Sequence, residues 1–142
     1  MNHKAIGRKY AADCGTKYDK LNLVIAHLGG GISVAAHKQG RVIDTNQALD
    51  GFGPFSAERA GTMDAGALIR VIFAGIYEQE EIQHLLVGKG GLVAHLGTND
   101  VNAAYKLAQN GDLHARLILE AMSYGVAKEI GSMLAVLEGK AD

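Results

Sequence analysis

An almost wholly apolar run from Leu21 to Leu28 stops at three glycines, Gly29-Gly30-Gly31, and the apolar pattern restarts at Ile32. The first run is short and rich in branched residues, which predicts a buried strand. Ile32, Val34 and Ala36 then alternate with Ser33, Ala35 and His37, the period of a second strand. Lys38-Gln39-Gly40 reads as a hairpin turn with Gly40 at positive φ, and Arg41 to Thr45 as a third strand. Consecutive strands joined by tight turns predict an antiparallel meander over about 21–46.

Before the meander, Asn2 to Ala12 reads as a short helix with Ala5, Ile6 and Tyr10 on one face. Beyond it the pattern breaks. Asp50-Gly51-Phe52-Gly53-Pro54-Phe55 is too irregular for helix or strand and predicts a long structured loop, the kind of segment that carries function on a rigid scaffold. Helical periodicity returns at Asp64, a capping residue. Leu68, Ile72 and Ile76 share one face with Ile69 and Phe73 beside them, so this helix is expected to be well buried. Glu78 to Leu86 reads as an acidic-started helix with Ile82, Leu85 and Leu86 inward. Gly88 to Gly97 is punctuated by glycine, and Asn102 to Gln109 is a further helix. Asp112 caps the longest one, expected to run to about Glu138 with Val126, Ile130, Met133, Leu134 and Leu137 in a stripe. The helical part thus covers about 64–138, and 1–142 reads as a single unit.

The 142 residues are 48% hydrophobic and 20% charged, with a net charge of -1. That balance fits a globular domain and gives no electrostatic footprint for nucleic acid or an anionic membrane. No apolar run is long enough to cross a bilayer, and the Met-Asn-His-Lys start does not read as a signal peptide. Cys14, the single cysteine, reads as structural and fits a reducing, cytoplasmic setting.

Candidate chemistry is thin when each motif stands alone. No helix follows Gly29-Gly30-Gly31, which excludes the helix-linked phosphate fingerprints, and a glycine turn is the first reading. His27 in an apolar strand reads as a packed core histidine, and no metal-ligand spacing surrounds it. Glu58-Arg59 ends the irregular loop as a surface pair, although a guanidinium is what a phosphoryl-transfer site needs. Asp100, after Gly97-Thr98-Asn99, reads first as a helix cap and second as a partner for a ribose hydroxyl.

Taken together, four segments change that picture. They are His27 to Val34 with Gly40 to Asn46, Ala48 to Gly61, Lys89 to Asp100, and Leu119 to Tyr124 through Ala135 to Lys140. In this order they resemble the acetate kinase family of acyl-phosphate kinases, and within it the butyrate kinase branch, over essentially the whole chain. Gly30, where acetate kinases usually carry asparagine, and the Asp50–Phe55 loop favour butyrate. The resemblance implies an α/β fold of the ribonuclease H-like, actin/sugar-kinase type, here a partial lobe: the first half of the second lobe. It implies transfer of a phosphoryl group from ATP to a short-chain carboxylate, with ATP/ADP and Mg²⁺ as the complete enzyme's cofactors. His27, Gly29, Gly30 and Gly31 match the phosphate motif, Arg59 the arginine that stabilises the transferring group, and Asp100 an acidic position near the nucleotide. Asn102 stands where acetate kinases carry an arginine near the adenine. The family's catalytic histidine falls just before Met1, in a motif whose tail is Met1-Asn2-His3-Lys4, and His3 matches that motif's second histidine. An adenosine Gly-Gly motif and its strand would follow Asp142. The chain is therefore expected to be an internal piece, inactive alone, with an exposed sheet edge that predicts association with another chain, as in a homo-oligomer, or partial unfolding.

Overall fold

The computed structural model describes residues 3–50 and 52–142. Met1 and Asn2 of the expected histidine-motif tail and first helix, and Gly51 of the expected loop, lie outside them. The chain packs as two compact units: 1–27, 33–46 and 126–142 form the first, and 28–32 with 47–125 the second.

The first unit opens with α1 (His3–Asp13) and a 3₁₀ turn at Tyr18–Lys20. Gly7 and Ala11 are the buried positions of α1, whereas Ile6 and Tyr10 are exposed. The reason is close approach: a Cβ on Gly7 would lie 2.7 Å from the Tyr18 ring and 3.3 Å from Ile25 Cδ1. Cys14, just past α1, is exposed and holds no core position.

Strands β1 (Asn22–Leu28), β2 (Ile32–Lys38) and β3 (Arg41–Thr45) form one sheet in the order β1–β2–β3. The expected meander is present. β2 is central, so its residues Ile32 to His37 are all buried instead of alternating. β3 pairs with it antiparallel, with Ala36 opposite Asp44 and His37 opposite Val42 across a bulge. Gln39 and Gly40 both take positive φ, 48° and 80°, as a two-residue hairpin turn requires. At the far end of β1, the Asn22 N–H donates to Asp142 Oδ2 at 2.7 Å and the Asp142 N–H donates to the Asn22 carbonyl at 2.9 Å.

His37 is fully buried in this unit. Its Nδ1 pairs with the Tyr18 hydroxyl at 2.5 Å, and its ring stacks on His3 with centroids 5.8 Å apart. Burial raises the Tyr18 pKa, which keeps that phenol a donor. His37 Nε2 is buried without a hydrogen-bond partner. Burial first, then the neighbouring His3 and Lys4 charges, hold the His37 pKa below its ordinary value. His3 is lowered likewise by burial and by His27.

The second unit holds α2 (Ala65–Phe73), α3 (Gln79–Leu86), α4 (Gly91–Leu96) and α5 (Val101–Gln109). α6 (Leu113–Val136) contributes its residues up to Gly125 here and those from Val126 to the first unit. Capping follows the sequence. Asp64 accepts from the Ala67 N–H at 2.8 Å, Asp112 from the Ala115 N–H at 2.9 Å, and Glu78 with Glu81 forms a capping box. The α6 stripe places Val126, Met133 and Leu137 in the core, although the helix ends at Val136, two residues early, where Glu138 and Gly139 turn left-handed.

The expectation of burial fails for two helices: α3 has no buried residue, and Leu85, expected inward, is 39% exposed. α2 has no buried residue, and Phe73 and the following Ile76 are 85% and 73% exposed. Apolar periodicity reports a face that needs a partner, not that the unit supplies one. The core of this unit is built from Ala57, Leu92, Ala104, Ala115, Ile118 and Met122.

Candidate phosphate-facing site

The site is built in the second unit around residues 28–32. The Gly29 N–H donates to the Gly31 carbonyl at 3.1 Å, closing the tri-glycine turn on itself. Ser56 Oγ donates to the Gly30 carbonyl at 2.5 Å. In a trans peptide the N–H opposes the carbonyl, so this bond aims the Gly31 N–H away from Ser56. The Gly30 and Gly31 N–H groups have no acceptor among the described residues. They are the free donors of the turn.

Arg59 lies directly over Gly31: a Cβ there would fall on the guanidinium, so only glycine admits the arginine in this position. Arg59 Nε is buried without a partner. On the other side, Glu58 Oε2 comes within 3.4 Å of where a Gly30 Cβ would be, and Glu58 Oε1 accepts from Asn99 Nδ2 at 2.6 Å. Consecutive residues of the loop thus straddle the turn, and Glu58 joins it to the segment that starts α5.

That segment carries Asp100, whose carboxylate accepts from the Asn102 N–H at 2.8 Å as the cap of α5. Capping engages Oδ1 and leaves Asp100 exposed on the wall of a pocket of about 480 Å³. Gly29, Gly30, Glu58, Asn99 and Asn102 line the same pocket, with Leu28, Ile32, Val101 and Met122 among its apolar walls. Apolar walls with a few polar groups are the composition of a ligand pocket.

The loop is held rigidly behind this arrangement. Ser56 and Ala57 carbonyls accept from the Leu92 and Val93 N–H groups at 3.0 and 3.2 Å, satisfying the first turn of α4. The Gly88 N–H donates to the Glu58 carbonyl at 2.7 Å, and Arg59 forms an isolated antiparallel bridge with Val87.

The structure therefore brings Gly29, Gly30 and Asp100 to one pocket and Gly31 to Arg59. His27, the penultimate residue of β1, is exposed, which corrects its reading as a core histidine. Ser56 and Asn99 are site neighbours that motif reading passed over, and Glu58, read only as a surface partner of Arg59, bonds Asn99 instead. Their signal was slight: polar residues flanking Arg59, and a glycine opposite a carboxylate.

A family model, the acetokinase family, matches residues 1–142. The chain belongs to the acetokinase family. This family member is 54% identical over 142 residues to a protein of Bacteroides thetaiotaomicron named probable butyrate kinase, covering 100% of this chain and 40% of that one. Among solved structures it is similar to Porphyromonas gingivalis acetate kinase, with TM-score 0.88 and 26% identity over 95% of this chain and 34% of that one. A propionate kinase from Francisella tularensis subsp. tularensis SCHU S4 gives TM-score 0.85 and 30% identity, covering 95% and 35% of the two chains. The chain thus spans about 40% of the length of the curated relative, and it shares the α/β fold of these kinases.

Proposed function

We propose that this acetokinase chain supplies the phosphate-facing part of a kinase that transfers a phosphoryl group from ATP to a short-chain carboxylate, with butyrate as the acceptor. On this reading residues 1–142 are the first half of the second lobe. The observation that carries it is the pairing of the tri-glycine turn with Arg59. Two backbone N–H groups without acceptors lie in the turn and the Arg59 guanidinium lies against it, and such donors suit the equatorial oxygens of a transferring phosphoryl group. Arg59 neutralises charge that develops there, the turn orients the oxygens, and Asp100 faces the ribose side of the nucleotide. His27 is proposed to adjoin the same phosphate motif.

Among the described residues no group of three or more His, Cys, Asp or Glu side chains suits a metal ion. Mg²⁺, as the counterion of the nucleotide, would supply charge neutralisation at its phosphate oxygens. A single, exposed free cysteine fits a cytoplasmic setting.

The test is calorimetry of the chain with ADP and Mg²⁺. Saturable binding that Arg59→Ala weakens is expected, and a flat titration rejects the site. In an acyl-phosphate assay of a protein spanning the relatives' full length, Arg59→Ala should lower turnover by roughly 10²-fold or more. The exposed apolar face of α2 favours a second reading, that the chain serves as a nucleotide-binding module that self-associates as a homo-oligomer.

A further inference from the structure

Ser56 is tied on three sides. Its carbonyl accepts the Leu92 N–H of α4 at 3.0 Å, its N–H donates to the Arg59 carbonyl at 3.0 Å, and its hydroxyl donates to the Gly30 carbonyl at 2.5 Å. The residue is fully buried, so the hydroxyl proton has no water to turn to. Two bonds fix the serine backbone, and the third therefore comes from a group already held in place. At its far end is the Gly30–Gly31 peptide, with glycine on both sides. Such a peptide plane can rotate to either face at little steric cost. The two faces are chemically opposite: one offers a ligand the Gly31 N–H, the other the Gly30 carbonyl, which repels phosphate oxygens. Rotation would also bring an N–H to the serine and leave its buried hydroxyl proton without an acceptor, a loss comparable to that of a hydrogen bond.

We propose that Ser56 is a positioning residue for the phosphate-bearing ligand: by holding the Gly30 carbonyl it keeps the Gly31 N–H presented as a donor, without touching the ligand itself. The inference rests on reading the tri-glycine turn as phosphate-facing. Through the Ser56 N–H bond to the Arg59 carbonyl, the reversal at Ala57 and Glu58 returns Arg59 to the same turn. One buried serine thus ties the backbone donor to the residue that carries the charge.

The experiment is NMR titration of the chain with inorganic phosphate, following the Gly29, Gly30 and Gly31 amide signals. It is repeated for Ser56→Ala and Ser56→Cys, with urea unfolding of each in parallel. In the unsubstituted chain the Gly31 amide is expected to move more than that of Gly29, which is already paired with the Gly31 carbonyl. Ser56→Ala should weaken phosphate binding roughly fivefold or more, the weight of one net hydrogen bond, and shrink the Gly31 response. Ser56→Cys fills nearly the same space with a weak donor and should fall between. A serine with only a structural role would move the unfolding midpoint alone, so unchanged phosphate affinity in either folded variant overturns the inference and leaves the phosphate site standing. Should neither variant fold, the unsubstituted chain decides, and a Gly29 response larger than that of Gly31 overturns the inference. Absence of phosphate binding in the unsubstituted chain overturns the phosphate reading of the turn and this inference with it.

Discussion

Two neighbouring stretches of the second unit look alike in sequence: Gly53 to Thr62, and Ala65 to Tyr77. Both are rich in apolar and small residues, and the second has the stronger regular pattern. In the fold they part company. Residues 53–62 have neither helix nor strand ladder, yet their peptide groups pair with Leu86, Gly88, Leu92 and Val93, and Ser56 is fully buried. The α2 stretch forms its helix with a good cap and buries none of that helix's residues. Regularity and burial are separate properties, and the irregular loop is the better-anchored part. That is where a site can be held within the tolerances that specific binding or catalysis demands.

Substitutions can sharpen that contrast. Gly91 sits at φ 58°, and a Cβ there would collide with the Ser56 carbonyl, a backbone atom of the loop. Gly91→Ala should therefore have the largest effect, about 3 kcal/mol or more of stability, read by urea unfolding. A loss under about 1 kcal/mol would show that the loop is not pinned to α4. Gly31→Ala should come next. Its Cβ meets the end of the Arg59 side chain, with the Ala48 carbonyl 3.1 Å away, so the fold should lose less than with Gly91→Ala while Arg59 is displaced and phosphate affinity drops, measured by titration with inorganic phosphate. Retained affinity would remove Arg59 from the site. The smallest effect is expected for the double change Phe73→Ser and Ile76→Ser, within about 0.5 kcal/mol of the parent. Sedimentation should show less self-association, and a large stability loss would mean that the α2 face is covered after all.

The meander, the caps at Asp64, Asp100 and Asp112 and the placement of most helices were legible because each rests on local chemistry: alternation, a turn glycine, a side-chain oxygen near a free N–H. α4 was not, since a six-residue helix between glycines has too few positions to display a period. The exposure of α2 was not either, because a pattern names the face that wants cover and not what covers it. Within the proposed site, Gly29 to Gly31, Arg59 and Asp100 were singled out through their order along the chain. Ser56 and Asn99 were missed, and Glu58 was read only as a surface partner of Arg59, because their role lies in bonds between segments distant in sequence, such as Glu58 to Asn99. His27 was misjudged as core because the last residues of a strand can leave the packed layer that its middle occupies.

The buried His37 makes the fold a net proton donor as it forms. His3 and His37 both have pKa values below the ordinary 6.5 in the folded chain, so near that pH the unfolded chain binds protons that the folded chain sheds. Their stabilising contribution is full above about pH 6.5 and falls as acid carries the pH below it toward the lowered folded values. Unfolding should therefore take up protons from the buffer. Its calorimetric enthalpy at pH 6 should differ between buffers of unlike ionisation heat, and this difference should shrink in His37→Gln and vanish near pH 8.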